Sequence, residues 1–431
     1  MDRILLKNIT LDGKYTDIFI EEGRISSVCP HSASRCKELS ESYSGTKVID
    51  CSGKVAMPGF VNMHTHAAMS LLRGIGEDMS LQKWLDHIWR VEAHLDESFV
   101  YWGTKIAALE MIKTGTTTFN DMYWFPLPAR EAAAEMGLGN ALSFTFLDNF
   151  DEKAFHEQTQ DCMATHEAAK SWGRRSQFVI AIHSVYTVSE PAIIWATEYA
   201  RKNGLRIHVH VSETEKEVLD CQKAHGGLSP VEYLDRLGVL GPDVTAAHTL
   251  WLSDRDVEIL GKRHVNCVHN VNSNLKLASG LGFRYDDLKS AGANVCLGTD
   301  GCASSNNLDM LETMKTAAIS QKAWTNDPST LPLQDLLDMA TVNGAKALGM
   351  KTGRIEEGFD ADILIIDPDS TFFLSPAPFI ANFVYSAHSD CITAMVAGGR
   401  LVMMDRRAPE EEEILTGGKN ELRLLTEYSN N

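Results

Sequence analysis

The sequence predicts an α/β protein: a parallel, TIM-like (β/α)8 barrel with a composite β-sandwich domain formed by both chain ends. Three observations predict it. From about residue 58 to 350, short apolar runs alternate with amphipathic stretches of helical period, a rhythm that favours parallel strands closed into a barrel. Both flanks are instead β-rich and broken by Asp-Gly, Glu-Gly and Gly-Gly turns. The histidines and one aspartate that stand out fall at the ends of successive strand-like runs, where a barrel carries its chemistry.

Residues 1–57 make the N-terminal part of the composite domain. Segments 3–8, 17–20, 24–28, 47–50 and 54–56 read as strands, with turns at Asp12-Gly13 and Glu22-Gly23. In the barrel region, 58–350, the clearest apolar runs are 178–182, 206–211, 244–247, 264–268 and 294–297. Helical patterns at 189–203, 253–262 and 308–322 lie among them. A doubly wound sheet is the alternative, but no Gly-rich phosphate loop follows a strand. Residues 351–431 supply the C-terminal part of the composite domain. Strands are expected at 353–355, 361–366 and 392–396, with a Gly398-Gly399 hairpin before 400–403 and a surface helix over 419–428.

Composition narrows the function classes. A chain of 431 residues can bury a large core, and 44% hydrophobic with 23% charged residues is the balance of a soluble globular protein. The 40 Lys and Arg against 58 Asp and Glu leave a net charge of −18. That charge repels phosphate backbones and anionic membranes, so neither nucleic acid nor a membrane is an expected partner. Nine cysteines, odd in number, scattered and without a C-x-x-C, argue against a disulfide framework and a thiolate zinc site, and point to a reducing cytoplasm. The N-terminus lacks the apolar core of a signal peptide. No uncharged apolar stretch reaches the roughly 18–20 residues of a membrane span. The acid run 410–413 reads as solvated surface.

The barrel region opens with Pro58-Gly59-Phe60-Val61-Asn62-Met63-His64-Thr65-His66. In a strand, residues i and i+2 share a face, so His64 and His66 project together, as two ligands of one metal must. His183 ends the 178–182 run, and His210 sits in the next with His208 on the same face. His248 follows 244–247, and Asp300 follows 294–297. Taken singly, each has a plainer reading: a His after a strand more often serves as a hydrogen-bonded loop or core residue, and Asp300 before Gly301 suits a turn. Taken together at successive strand ends, His64, His66, His210 and Asp300 make an N3O set for one Zn2+ with room for a water. Fe2+ or Mn2+ suits such a set as well.

The opening motif, His210-Val211-Ser212-Glu213, Ala246-Ala247-His248, Ser273-Asn274-Leu275-Lys276-Leu277 and Leu297-Gly298-Thr299-Asp300-Gly301 together resemble the amidohydrolase superfamily over nearly the whole chain. The resemblance lies within its branch of cytosine/guanine deaminases and triazine hydrolases, and most of all with 5'-methylthioadenosine/S-adenosylhomocysteine deaminases. It implies one divalent metal, usually zinc, on His64, His66, His210 and Asp300. No Lys ends the strand before His183, as a carbamylated two-metal site would need. It also implies that His248 and Asp300 orient a water and take its proton. Glu213, three residues past His210, would protonate a ring nitrogen as the adjacent carbon is attacked. For adenine these atoms are N1 and C6, and ammonia leaves. The plainer reading of Glu213 is a helix-start acid beside Glu215 and Glu217.

The substrate contacts implied are Glu92 on ribose hydroxyls, for which a carboxylate is a sound acceptor, Trp84 packed on the ligand, His183 on the purine side, and Ser304. Glu92 reads otherwise as a solvated helix residue, and Trp84 as a core aromatic. There is one departure. Relatives that accept S-adenosylhomocysteine tend to carry arginines after the strand near 140–148, and this stretch has none, leaving Lys153, Arg174 or Arg175 to stand in from a loop. A buried carboxylate without a cation is costly. Methylthioadenosine, 5'-deoxyadenosine or adenosine is therefore expected over S-adenosylhomocysteine. One rival is a deaminase or hydrolase of a free base, pterin or triazine. Another, of a different class, is a non-catalytic metal-binding scaffold, which usually lacks the acid or the water-orienting His. A small-molecule substrate and a homo-oligomer are expected, since relatives are often dimers or tetramers.

Overall fold

The computed structural model describes residues 3–34 and 45–429; Cys36 lies outside them. Five strands come first: β1 (Arg3–Leu11), β2 (Lys14–Glu21), β3 (Arg24–Pro30), β4 (Thr46–Asp50) and β5 (Val55–Pro58). Eight strands of a second sheet follow: β6 (Phe60–Thr65), β7 (Thr116–Asp121), β8 (Gly139–Phe146), β9 (Ser176–Ile182), β10 (Arg206–Val211), β11 (Val244–His248), β12 (Asn266–His269) and β13 (Asn294–Leu297). They pair in parallel and in sequence order. Helices fill the crossovers, as parallel neighbours require. β14 (Ile363–Ile366), β15 (Ile392–Ala397) and β16 (Arg400–Met403) then return to the first sheet.

Side chains and loop backbone close the barrel between β6 and β13. Asn62 Nδ2 donates to Thr299 Oγ1 (2.7 Å), and the Thr299 N–H donates to Asn62 Oδ1 (3.1 Å). The Asp300 N–H donates to the His64 carbonyl (3.0 Å). Closure thus fixes Asp300 against the strand that carries His64 and ends one residue before His66. Below the site, Val61, Met63, Ala141, Val179, Val268 and Cys296 pack together with Ala345 and Leu348 of the helix Val342–Leu348. The register of β6 on β7 slips between Asn62 and Thr65, where the apolar half of the strand gives way to the two histidines.

The other sheet runs β16-β15-β14-β5-β1-β2-β3, with β4 also on β1. β14 lies between β5 and β15, so strands from both chain ends form one sheet. The uninterrupted Ile363-Leu364-Ile365-Ile366 fits a strand covered on both faces. Ile363 and Ile365 join Ile4, Leu6 and Ile18 in a core belonging to the sheet, while Leu364 and Ile366 join the main barrel core.

A buried ion cluster pins the two parts together. Arg175, just before β9, donates to both oxygens of Asp362 (2.9 Å each) and to Asp360 (3.1 Å). Asp362 also accepts from Thr352 Oγ1 (2.6 Å) and the Gly398 N–H (2.8 Å). Arg174 pairs with Asp360.

Two expectations need correction. Residues 353–355 form no strand: Gly353 turns the chain with φ +76°, and the Gly-Arg-Ile run is spent on that bend. The terminal helix begins at Glu411, not 419, and spans Glu411–Ser429. Gly417-Gly418 reads as a helix breaker, but here the missing side chains let the helix lie against the helix Glu97–Thr114. A Cβ on Gly417 would sit 2.1 Å from the Trp102 ring. Ile414 is buried, and Ser98 Oγ donates to Glu421 (2.7 Å). The acid run supplies the first turn, where carboxylates suit the helix dipole, and Glu411 pairs with Lys113. Among the described residues no helix is long and apolar enough to cross a membrane.

Removing one partner of a buried ion pair strands the other charge, which costs about 3–5 kcal/mol. Asp362→Ala is expected to lower unfolding stability by that amount in a denaturant titration; a change under about 1 kcal/mol, the scale of an exposed pair, would deny the cluster its anchoring role.

Candidate active site

A pocket opens at the C-terminal strand ends. Barrel residues His66, His183, His210, Glu213, His248 and Asp300 line one side, and Trp84, Ile88, Trp89 and Glu92 the other. The second group belongs to the helix Leu81–Glu92. Its Leu81, Trp84, Leu85, Ile88, Trp89 and Glu92 recur at i, i+3, i+4, i+7, i+8 and i+11, a stripe that turns one face inward. Glu92 therefore faces the cavity and is half-buried there.

Three imidazoles and a carboxylate converge behind the pocket. Asp300 Oδ1 lies 3.4 Å from His64 Nε2 and 3.3 Å from His66 Nε2. Ring nitrogens of His64, His210 and His248 lie within 4.8 Å of one another. Each ring is aimed from behind. His66 Nδ1 donates to the Met122 carbonyl and His210 Nδ1 to the His183 carbonyl (2.7 Å). A carbonyl only accepts, so both tautomers are fixed and both Nε2 lone pairs face the cluster. His64 Nδ1 meets His208 Nε2 at 2.9 Å. His64 Nε2 is buried without a hydrogen-bond partner. An orphaned nitrogen among inward lone pairs and a carboxylate is the donor set a divalent cation satisfies, so His64, His66, His210 and Asp300 fit one.

The electrostatics agree. Burial pulls His64 down to about 4. Burial also acts against a charged His66, but the hydrogen bond and charge of Asp300 outweigh it and raise His66 to about 9. Burial opposes ionisation of Asp300, yet His64 and His66 hold its carboxyl well below the usual carboxylate range. The cluster thus draws in positive charge, and a proton on His66 supplies it when no metal does.

Around it stand groups able to move protons and hold a ligand. His248 Nδ1 donates to Asn274 Oδ1 (2.8 Å), the shorter of its two amide contacts, with Asn270 Nδ2 at 3.4 Å. That turns His248 Nε2 into the pocket, 3.7 Å from Glu213 Oε2. Burial pushes the Glu213 carboxyl up, with His248 acting against it. Glu92 is likewise raised by burial, and its Oε1 accepts from Tyr123 OH (2.6 Å). Burial drives His183 down to about 3, so it is neutral, and its Nδ1 meets Thr187 Oγ1 (2.8 Å). Trp84 packs beside Gly76 on the pocket wall. Ser304 lines the pocket, but its hydroxyl already donates to the Gly301 carbonyl (3.0 Å).

All ten residues selected from the sequence gather here, with His64 just behind the lining. Sequence reasoning missed Tyr123 and Trp89, and it picked out Asn274 within a motif without giving it a role. Tyr123 carried a signal, lying two residues past the end of β7, and Trp89 completes the stripe of the lid helix. The stand-in cations do not reach the site. Arg174 and Arg175 are spent on Asp360 and Asp362, and Lys153 pairs with Glu157 on an exposed helix. Among the described residues no Lys or Arg lines the pocket. A groove that shares Glu92, Tyr123, Trp124 and Thr145 continues past Leu95, Phe125, Phe144 and Leu147 to Gln158 and Asp161.

A barrel with an N3O metal cluster and flanking proton-transfer groups defines the class: a metal-dependent hydrolase. The sequence profile of the Amidohydrolase family matches residues 55–402. A 5'-deoxyadenosine deaminase of Methanoregula boonei is 43% identical over 421 residues, covering 96% of this chain and 92% of that one. A 5-methylthioadenosine/S-adenosylhomocysteine deaminase of Archaeoglobus fulgidus is 43% identical over 369 residues, 85% of this chain and 87% of that one. Among solved structures, an adenosine deaminase from Xanthomonas campestris with bound zinc superposes with a TM-score of 0.90 at 28% identity, covering 98% of this chain and 99% of that one. The chain belongs to the amidohydrolase family.

A ligand histidine must be deprotonated to bind metal. With His66 raised to about 9, metal uptake near pH 7 displaces its proton, and affinity should strengthen as pH rises toward 9. Calorimetry in buffers of different ionisation enthalpy should report about one proton released per metal; none released would contradict the His66–Asp300 geometry.

Proposed function

We propose that this chain, a metal-dependent hydrolytic deaminase, removes the 6-amino group of an adenine nucleoside, giving the hypoxanthine nucleoside and ammonia, with zinc at the histidine–aspartate cluster. The observation that carries this is a single cavity with two carboxyls in different company: buried Glu213 beside His248 and the cluster, and half-buried Glu92 held by Tyr123 on the helix Leu81–Glu92. The names of the Methanoregula and Archaeoglobus relatives support the same substrate class.

A divalent cation bound there supplies Lewis acidity that makes water nucleophilic near neutral pH. His248 Nε2, with its lone pair turned inward by Asn274, accepts the proton of the water that adds at C6. Glu213, whose burial favours the protonated form, donates to N1. The amino nitrogen then takes the proton from His248 and leaves as ammonia. The added hydroxyl returns its proton to Glu213 and becomes the 6-oxo group. Glu92 accepts the ribose hydroxyls, neutral His183 faces the purine, and Trp84 packs on the ligand.

With no Lys or Arg on the pocket wall among the described residues, and a groove beyond it whose charged side chains are both acids, Glu92 and Asp161, methylthioadenosine, 5'-deoxyadenosine and adenosine suit the site better than S-adenosylhomocysteine, whose carboxylate would lack a partner. Ammonia release should therefore be confined to adenine ribosides in a panel that also holds adenine, guanine and cytosine. Turnover of free bases alone would replace the substrate class. Equal kcat/KM for S-adenosylhomocysteine and methylthioadenosine would overturn the 5' preference.

Glu213→Gln should lower kcat by about 10²–10⁴, the usual weight of general acid catalysis. Glu92→Ala should raise KM for ribosides with a smaller effect on kcat; an unchanged KM would remove Glu92 from the ribose.

A further inference from the structure

Glu213 reaches the pocket by an awkward route. β10 ends at Val211, and Ser212 adopts φ +51°, a left-handed conformation that costs a non-glycine residue energy and persists only where neighbours enforce it. What enforces it here is another acid. Glu217 Oε1 accepts the Ser212 N–H (2.9 Å), and Glu217 Oε2 accepts the Glu213 N–H (2.8 Å). On the other side of the turn, the Ser212 carbonyl accepts the N–H groups of Leu250 (3.1 Å) and Trp251 (2.9 Å), just past His248.

Glu217 is placed to do this because Thr214 caps the helix Glu215–Ala224 with its hydroxyl, which accepts the Glu217 N–H (3.1 Å). The Glu217 side chain then folds back over the turn that precedes its own helix. The residue is buried, and among the described residues no Lys or Arg pairs with it. An unpaired buried carboxylate is expensive. Both of its oxygens are committed to the two peptide groups that aim Glu213.

We propose that Glu217 is a positioning residue for the deamination: it clamps the Ser212-Glu213 backbone so that the Glu213 carboxyl points at the substrate ring. The inference rests on the role of Glu213 proposed above. A glutamine at 217 keeps the size and one acceptor but sets an NH2 group against a backbone N–H, which breaks half of the clamp. A misplacement of about 1 Å in a reacting group can cost on the order of 100-fold in rate.

The test is a double-mutant cycle on the metal-loaded full chain, with ammonia release from methylthioadenosine as the readout. Glu217→Gln is expected to lower kcat about 10- to 100-fold with KM within about twofold and metal content unchanged. In a Glu213→Gln background the same change is expected to add nothing, because the group it aims is already disabled. Glu217→Asp, which keeps the carboxyl group but withdraws the acceptors, should reproduce the loss. Wild-type kcat in Glu217→Gln, or a full additive loss in the double variant, overturns the positioning role while leaving the acid role of Glu213 intact. Failure of both 217 variants to fold makes Glu217 a folding residue and overturns it too. Wild-type kcat in Glu213→Gln sinks the premise instead, a result separate from the other three.

Discussion

Imidazole nitrogens and a carboxylate oxygen crowd together at the floor of the pocket, and the arrangement is eased by positive charge at its centre. Much of the upper barrel follows from this constraint. Lone pairs must be aimed inward, so each ring needs a partner behind it: Met122 carbonyl for His66, His183 carbonyl for His210, His208 for His64. Two of those partners are backbone carbonyls at or just past the ends of neighbouring strands, which only a closed parallel barrel brings into register. The closing seam through Asn62 and Thr299 presses Asp300 onto the strand of His64. Removing the seam would separate ligands that belong to opposite ends of the barrel sequence.

Some of the chain's left-handed residues lie in the same layer. Ser212, His248 and Asp300 all adopt positive φ, and each either lines the pocket or precedes a residue that does. A regular strand end would send these side chains along the barrel axis or out of it. The left-handed residues turn the chain sharply enough to bring a polar side chain over the cavity. That cost is met by hydrogen bonds that converge on the turns, such as those from Glu217, Leu250 and Trp251 at Ser212.

What could be read from the sequence was whatever repeats locally. The period of two put His64 and His66 on one face, apolar runs marked most of the later barrel strands, and polar residues at or near the ends of four of those runs (His183, His210, His248 and Asp300) were candidates for the site. What could not be read depends on long-range approach. That Asn274 fixes the tautomer of His248 requires knowing that the end of β11 meets the helix Val271–Lys276, 26 residues on. Gly417-Gly418 reads as a break until Trp102 is known to lie against it. Gly353-Arg354-Ile355 looks extended by composition, but its glycine is needed for a left-handed bend. Glu92 and Trp84 were ambiguous for a related reason, since a helical stripe does not say whether it faces a core, a cavity or another molecule.

The shared sheet has a consequence for how the protein is made. β5 sits between β1 and β14, and β14 begins at residue 363. While the ribosome is still building the barrel, the N-terminal strands have an open edge at β5, and Ile4, Leu6 and Ile18 lack part of their cover. Such exposed edges and apolar faces are aggregation hazards during synthesis. The sheet is completed only when the last sixth of the chain emerges, so a truncated product leaves an unfinished surface at its beginning as well as at its end.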